Sequence, residues 1–371
     1  MRSLGDQLRT YRDFGPGFNF ARIFLAYGVL IWHAVSIAEN GADRVLQTSL
    51  WPLIFAVLPM FFALSGFLVV GSALRLPIKE YILNRVFRIV PALGVDIAIS
   101  ALIIGPVFSV VSLSVYFTDK EFWIYFLNIF GKIHYTLPGV FEENPYSGIV
   151  NGSLWTVPFE IACYVVMSIM IMLGIVRSWK WTFVVAITLT TIGVSLHLLG
   201  IEPGKGLVDK AFRFAFLSNG APLVPSFLFG AALYLIRDRI PYSSVIAFVI
   251  VVGFVGVGLW GDASLYSNAV FSGLVSLPLA YLVVWIGLTP VPTPKFLESG
   301  DYSYGIYLYH FPILQALQYI FGFSSWWMLT IAGLLPVTMF AIFSWHAIEK
   351  PTLKMRKRFS LVGARLTETK T

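Results

Sequence analysis

From residue 19 onward the chain is a succession of long apolar runs separated by short polar stretches. A helix that crosses a bilayer needs about 20 mainly apolar residues. Ten stretches reach that length: 19–38, 52–73, 89–110, 154–174, 179–199, 211–234, 241–260, 266–288, 302–321 and 326–348. The pattern predicts an all-α polytopic membrane protein with about ten transmembrane helices. The sixth stretch is interrupted by Asn219-Gly220-Ala221-Pro222, and the aromatic segment Phe122–Phe130 is short enough to be interfacial or re-entrant. No internal repeat or linker divides the chain. The expected organisation is a cytoplasmic segment at 1–18, one membrane domain at 19–350 and a basic tail at 351–371 that lies on anionic lipid. The polar, basic start is not expected to be a cleavable signal, because the apolar run after it is longer than a signal core.

Composition points the same way. Of 371 residues, 57% are hydrophobic and 12% charged, whereas a soluble domain carries about 25% charge. The placement of the 26 Lys and Arg residues sets the orientation. With ten spans, nineteen of them fall in segments on the side of the N-terminus and five in segments on the other, so both termini are expected in the cytoplasm. A multi-pass membrane location follows. Scattered basic residues argue against nucleic acid as a partner. The single cysteine, Cys163, excludes a disulfide framework, and five histidines without ligand spacing give no reason to expect a metal. Neither H-E-x-x-H nor G-x-S-x-G occurs. The glycines 253, 256 and 258 lie within an apolar run and read as helix packing. So does Ser65-Gly66, in preference to a nucleophile.

Ionisable residues inside the apolar runs are costly in a bilayer and mark function. Arg22 and His33 are eleven residues apart on the first span. Three helical turns bring them to nearly the same face, about 16 Å apart along the axis. Glu160 lies at a depth close to that of His33, which suits a carboxylate that orients a general base. Arg85 and Arg88 share a helical face and, with Arg22, form either a pyrophosphate clamp or a positive-inside anchor. Asp96 is placed to neutralise one of them. The external loop at 111–153 carries Glu142, Glu143, Asn144 and Tyr146, a set that suits a carbohydrate or an ordinary interfacial loop.

Six motifs in order resemble the membrane-embedded acyltransferase-3 family over nearly the whole chain. Arg22 and His33 match R-x10-H; Phe61–Phe67 matches F-F-x-x-S-G-F; Arg85–Pro91 matches R-x-x-R-I-x-P. Ser153-Leu154-Trp155 with Glu160 matches S-L-W-x-x-x-x-E, Ser303–Pro312 matches S-Y-x-x-Y-L-x-H-x-P, and Glu349-Lys350-Pro351 closes the last span. The resemblance implies an acyl donor, usually acetyl-coenzyme A, taken from the cytoplasm, and a glycan or glycolipid hydroxyl acceptor at the outer side. His33 would act as general base or acyl carrier with Glu160, and Arg22, Arg85 and Arg88 would face the donor. Ser153, Trp155, Tyr307 and His310 are the candidate acceptor-binding residues. This would be the form without an appended esterase-like domain, working with membrane lipids and polysaccharide-assembly proteins around it. A transporter or flippase for a glycan or its precursor is the alternative, since ten spans with buried charges also describe carriers.

Overall fold

The computed structural model describes residues 2–359 except 14, 42–45, 202, 203, 205, 219, 293 and 295–299. Arg44, Lys205, Asn219, Lys295 and the tail beyond Phe359, which entered the charge count and the span limits above, lie outside the described residues. Among the described residues the regular elements are helical, and two isolated antiparallel bridges, Ser3 with Pro241 and Ser109 with Val140, are the sole β pairings. The main helices are α1 (Leu4–Thr10), α2 (Phe18–Ala38), α3 (Trp51–Arg75), α4 (Ile78–Phe108), α5 (Val157–Met172), α6 (Trp179–Leu198), α7 (Leu207–Phe216), α8 (Leu223–Leu235), α9 (Ser244–Trp260), α10 (Ala269–Leu288), α11 (Ser303–Phe321), α12 (Trp326–Ser344) and α13 (Lys350–Phe359).

Seven helical stretches among the described residues are long and apolar enough to cross a membrane, which makes this an all-α polytopic membrane protein. The apolar helices α8 and α9 are shorter, at 13 and 17 residues. The sixth predicted span is split. The chain leaves α7 at Phe216 and re-enters a helix only at Leu223, after Pro222, which cannot continue a helix from behind it. α11 has the length of a span but buries His310, Gln315 and Gln318, so its composition is more polar than its neighbours'.

The chain forms two compact units. The first comprises residues 1–25, 45–76 and 162–293. Its α1 begins with a reciprocal cap: Ser3 Oγ accepts from Asp6 N–H, and Asp6 accepts from Ser3 N–H. That backbone donor, reinforced by the Arg9 guanidinium, holds the Asp6 carboxyl down to about 2. Leu4 N–H and Gly5 N–H donate to the carbonyls of Ile240 and Arg237, tying the start of the chain to the turn after α8. The centre of the unit is the crossing of α3 and α8. A Cβ on Gly66 would run into the carbonyl of Phe227, and one on Gly230 into that of Ala63. Two glycines thus let the backbones approach closely, the usual device for association in lipid. The Ser65-Gly66 pair is a packing element, as its sequence suggests. Of glycines 253, 256 and 258, Gly258 is the one set against a backbone carbonyl, that of Ser49.

The second unit comprises residues 26–44, 77–161 and 294–371. Here α4 contains a π turn at Ser100–Ile104, and a second π turn at Trp345–Glu349 joins α12 to α13. The extra residue of a π turn displaces the following side chains around the axis, and such turns recur at functional sites. α11 packs on α12 at Gly305, where an added Cβ would sit 2.9 Å from Ala341 Cα. Phe122–Phe130 forms no span. It folds as the helix Lys120–Tyr125 and a 3-10 turn over Phe126–Phe130, closed by Gly131 in the left-handed region at φ 76°. The loop that follows is tied to α11, because Gln315 Nε2 donates to the carbonyls of Tyr146 and Ile149 while Asn144 Nδ2 donates to Gln315 Oε1.

Gly66→Val is expected to lower the thermal midpoint of the purified protein in detergent, equivalent to about 1–3 kcal/mol of overpacking. Gly253→Val, where nothing stands within 4 Å of an added Cβ, serves as the control and should leave the midpoint in place. Equal behaviour of the two variants would remove the crossing from the account.

Candidate active site

The second unit gathers most of the residues singled out in the sequence. His33 sits in the C-terminal half of α2 and is 8% exposed; His310 sits in the middle of α11 and is fully buried. His33 Nδ1 and His310 Nε2 are 2.6 Å apart. The ring planes are within 8° of parallel with centroids 4.9 Å apart, so with the nitrogens in contact the rings lie edge to edge in nearly one plane rather than stacked. That is the geometry a straight N–H···N bond requires. His310 Nδ1 is 2.9 Å from the carbonyl of Ile306, one turn back on its own helix. The edge of Phe311 closes against His33 at 5.0 Å, and a Cβ on Gly152 would meet that phenyl ring.

Next to the pair lies a buried polar cluster. Pro312 has no N–H, so the carbonyl of Leu308 loses its helical donor. Asn151 Nδ2 supplies one at 3.0 Å and also donates to Asp96 Oδ2 at 2.9 Å. Asn151 Oδ1 accepts from the backbone N–H and the hydroxyl of Ser153, starting the 3-10 turn Gly152–Thr156 that leads into α5. Tyr307 OH donates to the Ser153 carbonyl at 3.1 Å and bonds Thr156 Oγ1. The two substrate-binding candidates Ser153 and Tyr307 are therefore joined to each other. Trp155 is half-buried, with its ring against the edge of Phe159.

Three placements differ from the sequence expectation. The group on His33 Nδ1 is His310 and not Glu160; equal depth on two helices says nothing about which faces meet. Asp96 pairs with Asn151 and not with an arginine, because its side of α4 faces the 3-10 turn. Arg88 is held in an ion triad: Nη2 lies 2.7 Å from Asp301 Oδ2 and Nη1 2.9 Å from Glu349 Oε2. Its guanidinium also lies over the rings of Tyr304 and Trp345. Ser344 Oγ lies 3.2 Å from both Glu349 Oε1 and Tyr309 OH, carrying this network to the residue before His310. Arg85 lies near the Tyr81 ring, and Arg22, half-buried on α2, belongs to the first unit. Two groups escaped the sequence reading. Asp301 precedes α11 outside any apolar run, and Asn151 sits two residues before the motif that begins at Ser153. The signal for Asn151 was available in Pro312, whose missing N–H demands a donor from elsewhere.

Outside the spans, partial burial and the nearby Lys132 hold His134 below the ordinary histidine value. Burial pushes the Tyr135 phenol up, with Tyr146 adding to the effect. Among the described residues no group of three or more His, Cys, Asp or Glu side chains is arranged to hold a metal ion.

Residues 16–346 match the acyltransferase-3 domain family, and the chain belongs to it. It is an acyltransferase. The chain is 27% identical to Nodulation protein 10 of Rhizobium leguminosarum bv. viciae, covering 94% of this chain and 96% of that protein. It is 23% identical to the O-acetyl transferase of Shigella phage Sf6, covering 90% and 94% respectively. No solved structure matches the chain.

If Arg88 is an anchor, Arg88→Gln strands two carboxylates, one of them 2% exposed. Loss of one partner of a buried pair costs about 3–5 kcal/mol. The expected outcome is a large fall in thermal midpoint in detergent, with the donor KM of whatever folded protein remains unchanged. A normal midpoint with a raised donor KM would instead make Arg88 a donor ligand.

Proposed function

We propose that the protein transfers an acetyl group from acetyl-coenzyme A, taken from the cytoplasm, to a hydroxyl of a surface or exported glycan or glycolipid. The reading places the chain in a bacterial cytoplasmic membrane with both termini inside. The observation that carries it is the buried His33–His310 pair, a base with an oriented partner in a unit lined by acyltransferase motifs. The phage relative's name supports acetyl as the group and oxygen as the acceptor atom.

His33 takes the proton of the acceptor hydroxyl as that oxygen bonds to the acyl carbon. The bond from this carbon to sulfur breaks, and the proton passes from His33 to the departing thiolate, so the imidazole ends as it began. Base catalysis by His33 is preferred to an acyl-histidine intermediate. Trp155 offers an aromatic face, and Tyr307 and Glu160 offer polar groups, to a sugar ring. The phosphates of the donor call for guanidinium groups. Arg22, Arg85 and Arg88 are the candidates for that role, and Arg88 also holds two carboxylates. The helix rise puts Arg22 about 16 Å from His33 along α2, a span that suits the long arm between phosphates and thioester. Lipids surround the protein, and polysaccharide-assembly proteins are its natural neighbours.

The test is a mass comparison of surface glycans from cells with the chain, without it, and with His33→Ala at equal protein level. One acetyl increment per modified sugar is expected with the intact chain, and a rate lower by about 10²–10⁴-fold in the variant. A succinyl increment would replace the donor and keep the chemistry. Full acylation by His33→Ala would remove His33 from it.

A further inference from the structure

The structure assigns His310 as a positioning residue that fixes the tautomer of His33 and shares its proton, a role distinct from binding the acceptor. The inference rests on His33 being the base.

The argument starts at the carbonyl of Ile306, which can only accept. His310 Nδ1, 2.9 Å away, therefore carries hydrogen. In a neutral ring Nε2 is then the acceptor, and the hydrogen between it and His33 Nδ1, 2.6 Å away, belongs to His33. This leaves His33 Nε2 with its lone pair and no hydrogen. The tautomers are assigned from the acceptor at the end of the chain of bonds. Direction thus runs from a main-chain carbonyl through two rings to the basic atom.

The carbonyl itself is held by a helix that cannot rotate freely. Pro312 frees the Leu308 carbonyl, Asn151 captures it, and Tyr309 OH donates to the Ala92 carbonyl at 3.1 Å. Residues 308 and 309, immediately before His310, are therefore tied to α4 and to the 3-10 turn. The Phe311 ring packs against His33 with the two planes at 74° and the centroids 5.0 Å apart.

The arrangement also has a consequence for charge. When His33 Nε2 takes the acceptor's proton, the hydrogen on His33 Nδ1 can move to His310 Nε2. His310 then donates from both nitrogens, to Ile306 and to His33, and His33 becomes the neutral Nε2–H form. No atom is gained or lost, and the positive charge is spread over two rings until the proton leaves with the thiolate. The titratable groups around the pair are Tyr307, whose ring centroid is 6.1 Å from that of His310, and Glu160 beyond it.

Three variants of the full chain in detergent or vesicles test the role, with acyl transfer read as kcat and KM separately. His310→Phe should lose about 10³-fold in kcat, the scale expected when a base loses its orienting partner, with acceptor KM unchanged. His310→Gln, whose carbonyl can still accept from His33 Nδ1, should recover at least tenfold of that. His310→Glu places a carboxylate on His33, and the acid limb of its pH–rate profile should move up by about one unit. A rise in acceptor KM with kcat intact would make His310 a substrate ligand and overturn the assignment. Equal loss in all three variants with normal folding would overturn it as well. Nitrogen NMR of the wild-type protein carrying labelled histidine needs no variant to fold. It should show two Nδ1-protonated rings coupled through one N–H···N bond, and an Nε2-protonated His33 in the resting protein would refute the proposal. Wild-type protein without any transfer activity would count against the function above, while the NMR result still decides the tautomers.

Discussion

Asn151 uses every hydrogen-bonding position it has, and the second unit is arranged around that fact. Its two amide hydrogens go to Asp96 on α4 and to the Leu308 carbonyl on α11, while its oxygen receives two donors from Ser153. In hydrocarbon no water takes over a lost bond, so each of these groups needs a partner within the protein. A single amide thereby holds three segments that are far apart in the chain. The histidine pair lies within two residues of one of its contacts. An orphaned group in such a cluster bears its full desolvation cost, and Asp96 Oδ1, buried with no hydrogen-bond partner among the described residues, is one.

The same principle explains why irregularities collect here. Pro312 opens a carbonyl in α11, and Asn151 closes the gap. The π turn in α4 exposes the Ala101 carbonyl, and Tyr116 OH donates to it at 2.8 Å. The π turn after α12 brings Glu349 to Arg88, where Asp301 meets the same guanidinium. At Pro312 and at the π turn of α4, the freed carbonyl is matched by a side chain from another segment. Departures from regular helix and polar contacts are therefore two views of one design.

This pairing also marks where the sequence was legible. Apolar runs show helices because hydropathy needs no partner, and the break at Pro222 shows for the same reason. His33 stands out as an ionisable residue in a span. Its companion does not follow from depth, since depth supplies one coordinate and contact requires rotation as well. Glu160 fits the depth criterion, while the group that meets His33 Nδ1 is His310. Arg88 resembles a ligand for phosphate in sequence because Asp301 and Glu349 are separated from it by more than two hundred residues. Local motifs identify which residues matter more readily than what each one touches.

The π turn at Ser100–Ile104 has a consequence for how α4 is put together. One added residue turns everything beyond it by about 100° relative to an unbroken α-helix. α4 thus carries two successive registers on one axis: the first aims Asp96 inward, and the second presents Gly105 to the Tyr116 ring, where no Cβ would fit. A one-residue deletion within the turn would leave Asp96 where it is and rotate Gly105 away from Tyr116. A continuous hydrophobic stripe cannot be drawn along this helix, because it is two shorter helices joined without a loop.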